Sequence, residues 1–83
     1  MYSVCVLRRA LKDIAELPKE YMRLVSQHID ELANNPRPAD AKKLRGRDSY
    51  RLRVGAYRVL YEINDKTQVV TVYRVKHRRE AYR

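Results

Sequence analysis

Tryptophan and phenylalanine are absent from this sequence, and all seven aromatic side chains are tyrosines. Each buried ring therefore brings a hydroxyl that needs a partner or a place at the rim. A single cysteine, Cys5, excludes an internal disulfide and suits a reducing compartment, so a cytoplasmic protein is expected. One Cys and two His, His28 and His77, cannot build a four-ligand zinc site with recognisable spacing, and no metal is expected. Two glycines and three prolines are few breakers, and with 45% hydrophobic residues they exclude a disordered basic tail. No apolar run approaches the ~20 residues of a membrane span, and the start shows no apolar core with a small-residue cleavage site. The Walker A pattern, the dinucleotide glycines and the G-x-S-x-G elbow are also missing, so no cofactor is expected.

What remains is cationic. The 83 residues allow one domain, 1–83, with 19 Lys and Arg against 10 Asp and Glu and a formal charge of +9. Residues 1–41 hold six basic and six acidic side chains, whereas residues 42–83 hold thirteen and four. The whole excess lies in the second half. Concentration on one region points to a binding surface for a polyanion, with phosphate the first suspect.

Periodicity gives the order of elements. Tyr2, Val4 and Val6 alternate as in a short strand. Leu7, Ala10, Leu11, Ile14 and Leu17 then fall at helical spacing, and Pro18 opens a second helix with Met22, Val25, Ile29, Leu32 and Ala33 on its stripe. The run Asn34 to Pro38 stops that helix. After a basic connector carrying Lys42, Lys43 and Arg45, YRLRVGAYRVLYEI alternates in period two around Gly55, a hairpin signature. Asn64, Asp65 and Lys66 form the next turn, and the β-branched run from Gln68 to Val75 completes a meander. The expected class is α+β: a βααβββ chain with a helical hairpin packed on one face of a mainly antiparallel four-stranded sheet.

The open face of that sheet carries the first candidate site. If Gly55 and Ala56 form the loop, Tyr50, Leu52, Val54, Tyr57, Val59, Tyr61 and Ile63 face the helices. Arg51, Arg53, Arg58, Leu60 and Glu62 face away, and Arg53 stands opposite Arg58. Like charges in that position cost roughly 0.2 to 1 kcal/mol, a local conflict that marks a site. The chain closes on Arg74, Lys76, His77, Arg78, Arg79 and Tyr82, a cluster suited to phosphate and, through the tyrosine, to a base. Solvated arginines and a frayed basic tail are the bland alternatives. Cys5 reads as a strand residue and His28 as a helix-surface residue.

The stretches NNPRPADAKKLRGRDSYRLRVGAYRVLYEI and VYRVKHRREAYR, spanning much of the chain, resemble the RelE toxins of bacterial and archaeal toxin–antitoxin systems. The resemblance implies a ribosome-dependent mRNA endoribonuclease that cuts messenger in the ribosomal A site and is silenced by a cognate acidic antitoxin. It implies that Arg51, Arg53, Arg58 and Arg78 hold the scissile phosphate and its neighbours, with Tyr82 beside the base at the cut. The sequence departs from some relatives at Lys76 and His77, and the C-terminal helix of others is expected to be missing.

Metal-independent cleavage needs a base for the 2′-hydroxyl, cations for the phosphorane and a proton for the leaving oxygen. Arg53, Arg58 and Arg78 suit the charge, His77 is a candidate base, and Tyr82 completes the catalytic set. Lys42, Lys43, Arg45, Arg51, Arg74, Lys76 and Arg79 are candidate RNA contacts. The expected partners are the antitoxin and a 70S-type ribosome with its messenger. Two rival readings are a ParE-like toxin that inhibits gyrase and an inactive module that binds nucleic acid or antitoxin.

Overall fold

The structure is a computed structural model that describes residues 1–46 and 48–81. Strand β1 (Ser3–Val6) leads into helices α1 (Arg8–Ala15) and α2 (Lys19–Glu31), followed by β2 (Ala41–Lys43), β3 (Ser49–Val54), β4 (Tyr57–Asn64), β5 (Val69–His77) and the one-turn helix α3 (Arg78–Ala81). The strands form one sheet in the order β1-β5-β4-β3-β2, with β1 parallel to β5 and the other pairs antiparallel. The α+β class and the helical hairpin are as the sequence implies.

Ala10, Val25, Ile29 and Leu32 come down from the helices onto Tyr50, Leu52, Val54, Val59, Tyr61, Ile63, Val70, Val72 and Val75 of the sheet. Each fully buried aliphatic side chain contributes roughly 1.5 to 3 kcal/mol, so this single apolar layer carries most of the fold. Pro18, extended at φ −54° and ψ 146°, separates the two helices. Gly55 takes a positive φ of 56° at the first position of the two-residue loop between β3 and β4, where a hairpin favours glycine. A Cβ there would meet the Tyr21 ring at 3.2 Å.

Three features depart from the sequence reading. The sheet has five strands, because Ala41, Lys42 and Lys43 pair with Leu52, Arg51 and Tyr50 on the otherwise open edge of β3. A three-residue strand has too few positions to display alternation, and lysines on an edge strand discourage further pairing. Leu7 and Leu11 are 44% and 55% exposed rather than core. Helix α1 is short and lies against β5, so Ala10 and Ile14 reach the sheet while Leu11 stays on the outer flank. The chain also has a C-terminal helix, a single turn docked by the Arg78 N–H donating to the Ala56 carbonyl at 2.8 Å.

Candidate nucleic-acid interface

Hairpin register decides what the open face presents. All six β3–β4 pairs fall as the alternation implies, from Ser49 opposite Glu62 to Val54 opposite Tyr57. Arg53 therefore faces Arg58 and Arg51 faces Leu60. On β5 the pairing slips once: Leu60 faces Arg74, but Tyr61 faces Val72, leaving Tyr73 as the extra residue of a bulge. Strict alternation would put Val70, Val72, Arg74 and Lys76 on one face. The bulge resets the phase, so Val75 enters the core while Arg74 and Lys76 pass to the open side.

The result is two cationic rungs across the sheet. One runs Arg53, Arg58, Lys76, and the next runs Lys42, Arg51, Leu60, Arg74. Neighbouring strands lie about 5 Å apart, so these side chains share one surface within reach of a single nucleic-acid backbone. A cleft of about 200 Å³ opens there, lined by Ala39, Asp40, Lys42, Arg51, Arg53 and Arg58. Arg58 is the most enclosed, at 7% exposure, and its guanidinium donates to the carbonyls of Gly55 and Tyr57 at 2.8 Å each. Those bonds fix the orientation of the guanidinium.

The other sequence candidates divide. Arg78 begins α3 with its backbone bonded to Ala56, beside the Gly55 carbonyl that holds Arg58, so the terminal turn sits at the same end of the hairpin as the cleft. Arg79 follows it, and both are exposed. Arg74 is on the open side, but its Nε donates to Asp13 at 2.8 Å. The same carboxylate accepts the Val75 N–H at 2.9 Å, closing the β5 edge beyond the reach of β1. Burial pushes the Asp13 carboxyl up, but the bonds from Arg74 and Val75 more than offset it and leave the pKa below the usual carboxylate value.

Lys43 pairs with Tyr50, one residue out of phase with Lys42, and Arg45 lies in the exposed turn after β2; neither lines the cleft. His77 pairs with Tyr57, and their rings meet edge to face at 5.6 Å. Tyr57 packs on the core and against Tyr21, so the imidazole belongs to the helix side of the sheet, across from Arg58 and Lys76. Its Nδ1 accepts the Arg79 N–H at 3.2 Å. Tyr82 lies outside the described residues. Asp40, to which the sequence reading gave no role, lines the cleft; its signal was the i, i+2 spacing to Lys42 in an extended segment.

Among the described residues no group of three or more His, Cys, Asp or Glu side chains could hold a metal ion. None of their helices is long and apolar enough to cross a membrane.

Residues 4–82 match the family described as ParE toxin of type II toxin–antitoxin system, parDE. The chain belongs to the RelE/ParE toxins of type II toxin–antitoxin systems. It is similar to the toxin RelE3 of Methanocaldococcus jannaschii, 34% identical with 96% of this chain and 94% of the relative covered. The archaeal RelE–RelB complex from Pyrococcus horikoshii contains a chain of 30% identity and TM-score 0.82, covering 95% of this chain and 97% of that one. The isolated RelE toxin of Escherichia coli has 30% identity and TM-score 0.80, with 99% and 92% covered. This RelE-family toxin packs its helical hairpin on one face of its sheet and carries the cationic rungs on the other.

Proposed function

We propose that this toxin is a ribosome-dependent, metal-independent endoribonuclease that cuts messenger in the ribosomal A site. The observation that carries the reading is the gathering of Lys42, Arg51, Arg53 and Arg58 in one cleft, with Lys76 beside Arg58 in register. Guanidinium groups donate parallel hydrogen bonds to phosphate oxygens and stay protonated, which suits the charge that builds on a phosphorane. Attack of the 2′-hydroxyl on the adjacent phosphorus would leave a cyclic phosphate and a free 5′-hydroxyl. The ribosome would hold the messenger in line for that attack, and orientation would supply much of the rate. Arg78 and Arg79 bring two exposed cations to this end of the hairpin for the neighbouring phosphates, and Tyr82 is assigned to the base at the cut by the family resemblance alone.

The partner is an acidic antitoxin. Complexes of RelE with RelB from Pyrococcus horikoshii and of RelBE2 from Mycobacterium tuberculosis are among the solved structures this chain resembles. An acidic segment laid on the open face would screen the cations and shut the cleft. The cytoplasm, where ribosomes are, is the compartment this activity requires.

The family description also names ParE, whose function in the rival reading is gyrase inhibition. Mapping messenger ends on programmed ribosomes after adding purified toxin separates the two. Codon-phased cuts are the expected result, and Arg78→Ala should abolish them while the protein stays folded. Gyrase-dependent DNA damage without messenger cuts would favour the rival, and a folded Arg78→Ala variant that cuts normally would remove Arg78 from the site.

A further inference from the structure

We propose that Asp40 is the general base of the cleavage, the group that removes the 2′-hydroxyl proton. This rests on the RNA-cleaving reading above. The cleft wall otherwise carries Lys42, Arg51, Arg53 and Arg58, and Asp40 is its one carboxylate among the described residues. Guanidinium groups do not deprotonate in proteins, and neither they nor the Lys42 ammonium carry an acceptor, so the cations leave the post of base vacant. His77 is turned to the helix side, and its Nδ1 lone pair already accepts the Arg79 N–H.

Backbone bonds hold Asp40 at the site. Its carbonyl accepts the Arg53 N–H at 3.1 Å, which extends the β2–β3 ladder by one step, and the next residue, Ala41, donates to the Pro38 carbonyl at 3.0 Å. Asp40 also lines the adjoining recess of Leu24, His28, Arg53, Val54 and Gly55, so it stands where the two hollows meet. Among the described residues its side chain has no hydrogen-bond or ion-pair partner, in contrast to Asp13 and Asp65. A carboxylate with unused acceptor capacity beside a phosphate-binding wall is what proton abstraction from a ribose hydroxyl requires.

The 2′ proton passes to an Asp40 carboxylate oxygen as the 2′-oxygen forms its bond to phosphorus. The bond from phosphorus to the 5′-oxygen then breaks, its electron pair stays on that oxygen, and water supplies the proton that makes the 5′-hydroxyl. Asp40 returns its proton to solvent.

The test uses whole toxin on programmed ribosomes, comparing wild type, Asp40→Asn and Asp40→Glu in single-turnover cleavage across pH. Binding to a short RNA is followed by anisotropy and folding by circular dichroism. The Asn variant should cut at least about 100-fold more slowly, the scale of a lost general base, while binding RNA as well or more tightly because a negative charge is gone. The wild-type rate should fall towards acid pH, that fall should vanish in the Asn variant, and Glu should keep part of the rate. An Asn variant within about threefold of wild type, a loss matched by weaker RNA binding, or an unchanged acid limb would overturn the assignment. Wild type that cuts no RNA would overturn the nuclease reading itself, whereas cutting by both wild type and Asn variant would overturn only the role of Asp40.

Discussion

Arginine serves two ends of this molecule in opposite ways. At the turn between β4 and β5, Arg37 meets Asp65 at 2.8 Å, donates to the Tyr50 hydroxyl at 2.9 Å and lies over that ring at 5.4 Å. Tyr2 donates to the same Asp65 at 2.6 Å, so one carboxylate ties the residue before β1, the loop after α2 and the turn together. At the other end, Arg53 stands opposite Arg58, and Lys76 continues the row. The first arrangement pairs its charge with a carboxylate; the second sets like charges side by side on the open face, with Arg58 steadied by the Gly55 and Tyr57 carbonyls. Like charges across a ladder cost roughly 0.2 to 1 kcal/mol each, a cost that fits the anion-binding role proposed for the second.

The sharpest way to break that contrast is Arg53→Ala. Arg53 is exposed and lines the cleft, so its removal takes little from the core and relieves a repulsion. Messenger cleavage should drop roughly 100-fold or more, the scale of removing one donor to a developing oxyanion. Thermal stability should stay within about 0.5 kcal/mol of wild type, as for an ordinary surface change. A large loss of stability with cleavage intact would reverse the roles assigned to the two ends.

The sequence disclosed these two ends unequally. Gly55 pinned the hairpin, so the facing of Arg53 and Arg58 and the inward set from Tyr50 to Ile63 could be read residue by residue. The bulge at Tyr73 could not, because valines at 69, 70, 72 and 75 satisfy either phase and only packing selects one. Strand β2 depends on a vacant edge of β3, a property of the assembled sheet and not of the residues Ala41 to Lys43. Arg74 and His77 read as part of one basic run. Asp13 lies 61 positions from Arg74, and the face of His77 follows from the bulge, so neither placement leaves a local signal.

Asp13 gives the next test, because Arg74 joins the anchoring group despite its place on the open side. Asp13→Asn weakens the bond to Arg74 and the cap on the Val75 N–H, and should cost roughly 1 to 3 kcal/mol in chemical unfolding. The folded carboxyl titrates below its unfolded value. Its contribution is therefore fully present above the unfolded value, near pH 4, and fades as pH falls through the lower folded value. The stability gap between wild type and variant should be constant near neutral pH and close in strong acid. A gap that widened on acidification would mean that Asp13 is not the anchored carboxylate.

The smallest effect belongs to the clasp at Asp65. Arg37 and Asp65 are 45% and 58% exposed, and exposed ion pairs are worth about 0 to 1 kcal/mol and weaken with salt. Asp65→Asn should therefore lower stability by no more than about 1 kcal/mol, with the difference shrinking in high salt. Part of the clasp survives the change, since Tyr61 still donates to the buried Pro36 carbonyl at 2.7 Å. Burial already pushes the pKa of the Tyr61 hydroxyl up to about 12, so that bond persists through the neutral range. Cleavage should not change, because Asp65 sits at the far end of β4 from the hairpin loop. A loss of cleavage with Asp65→Asn would mean that the clasp reaches the cleft through the loop carrying Pro38 and Asp40, joining the two ends into a single device.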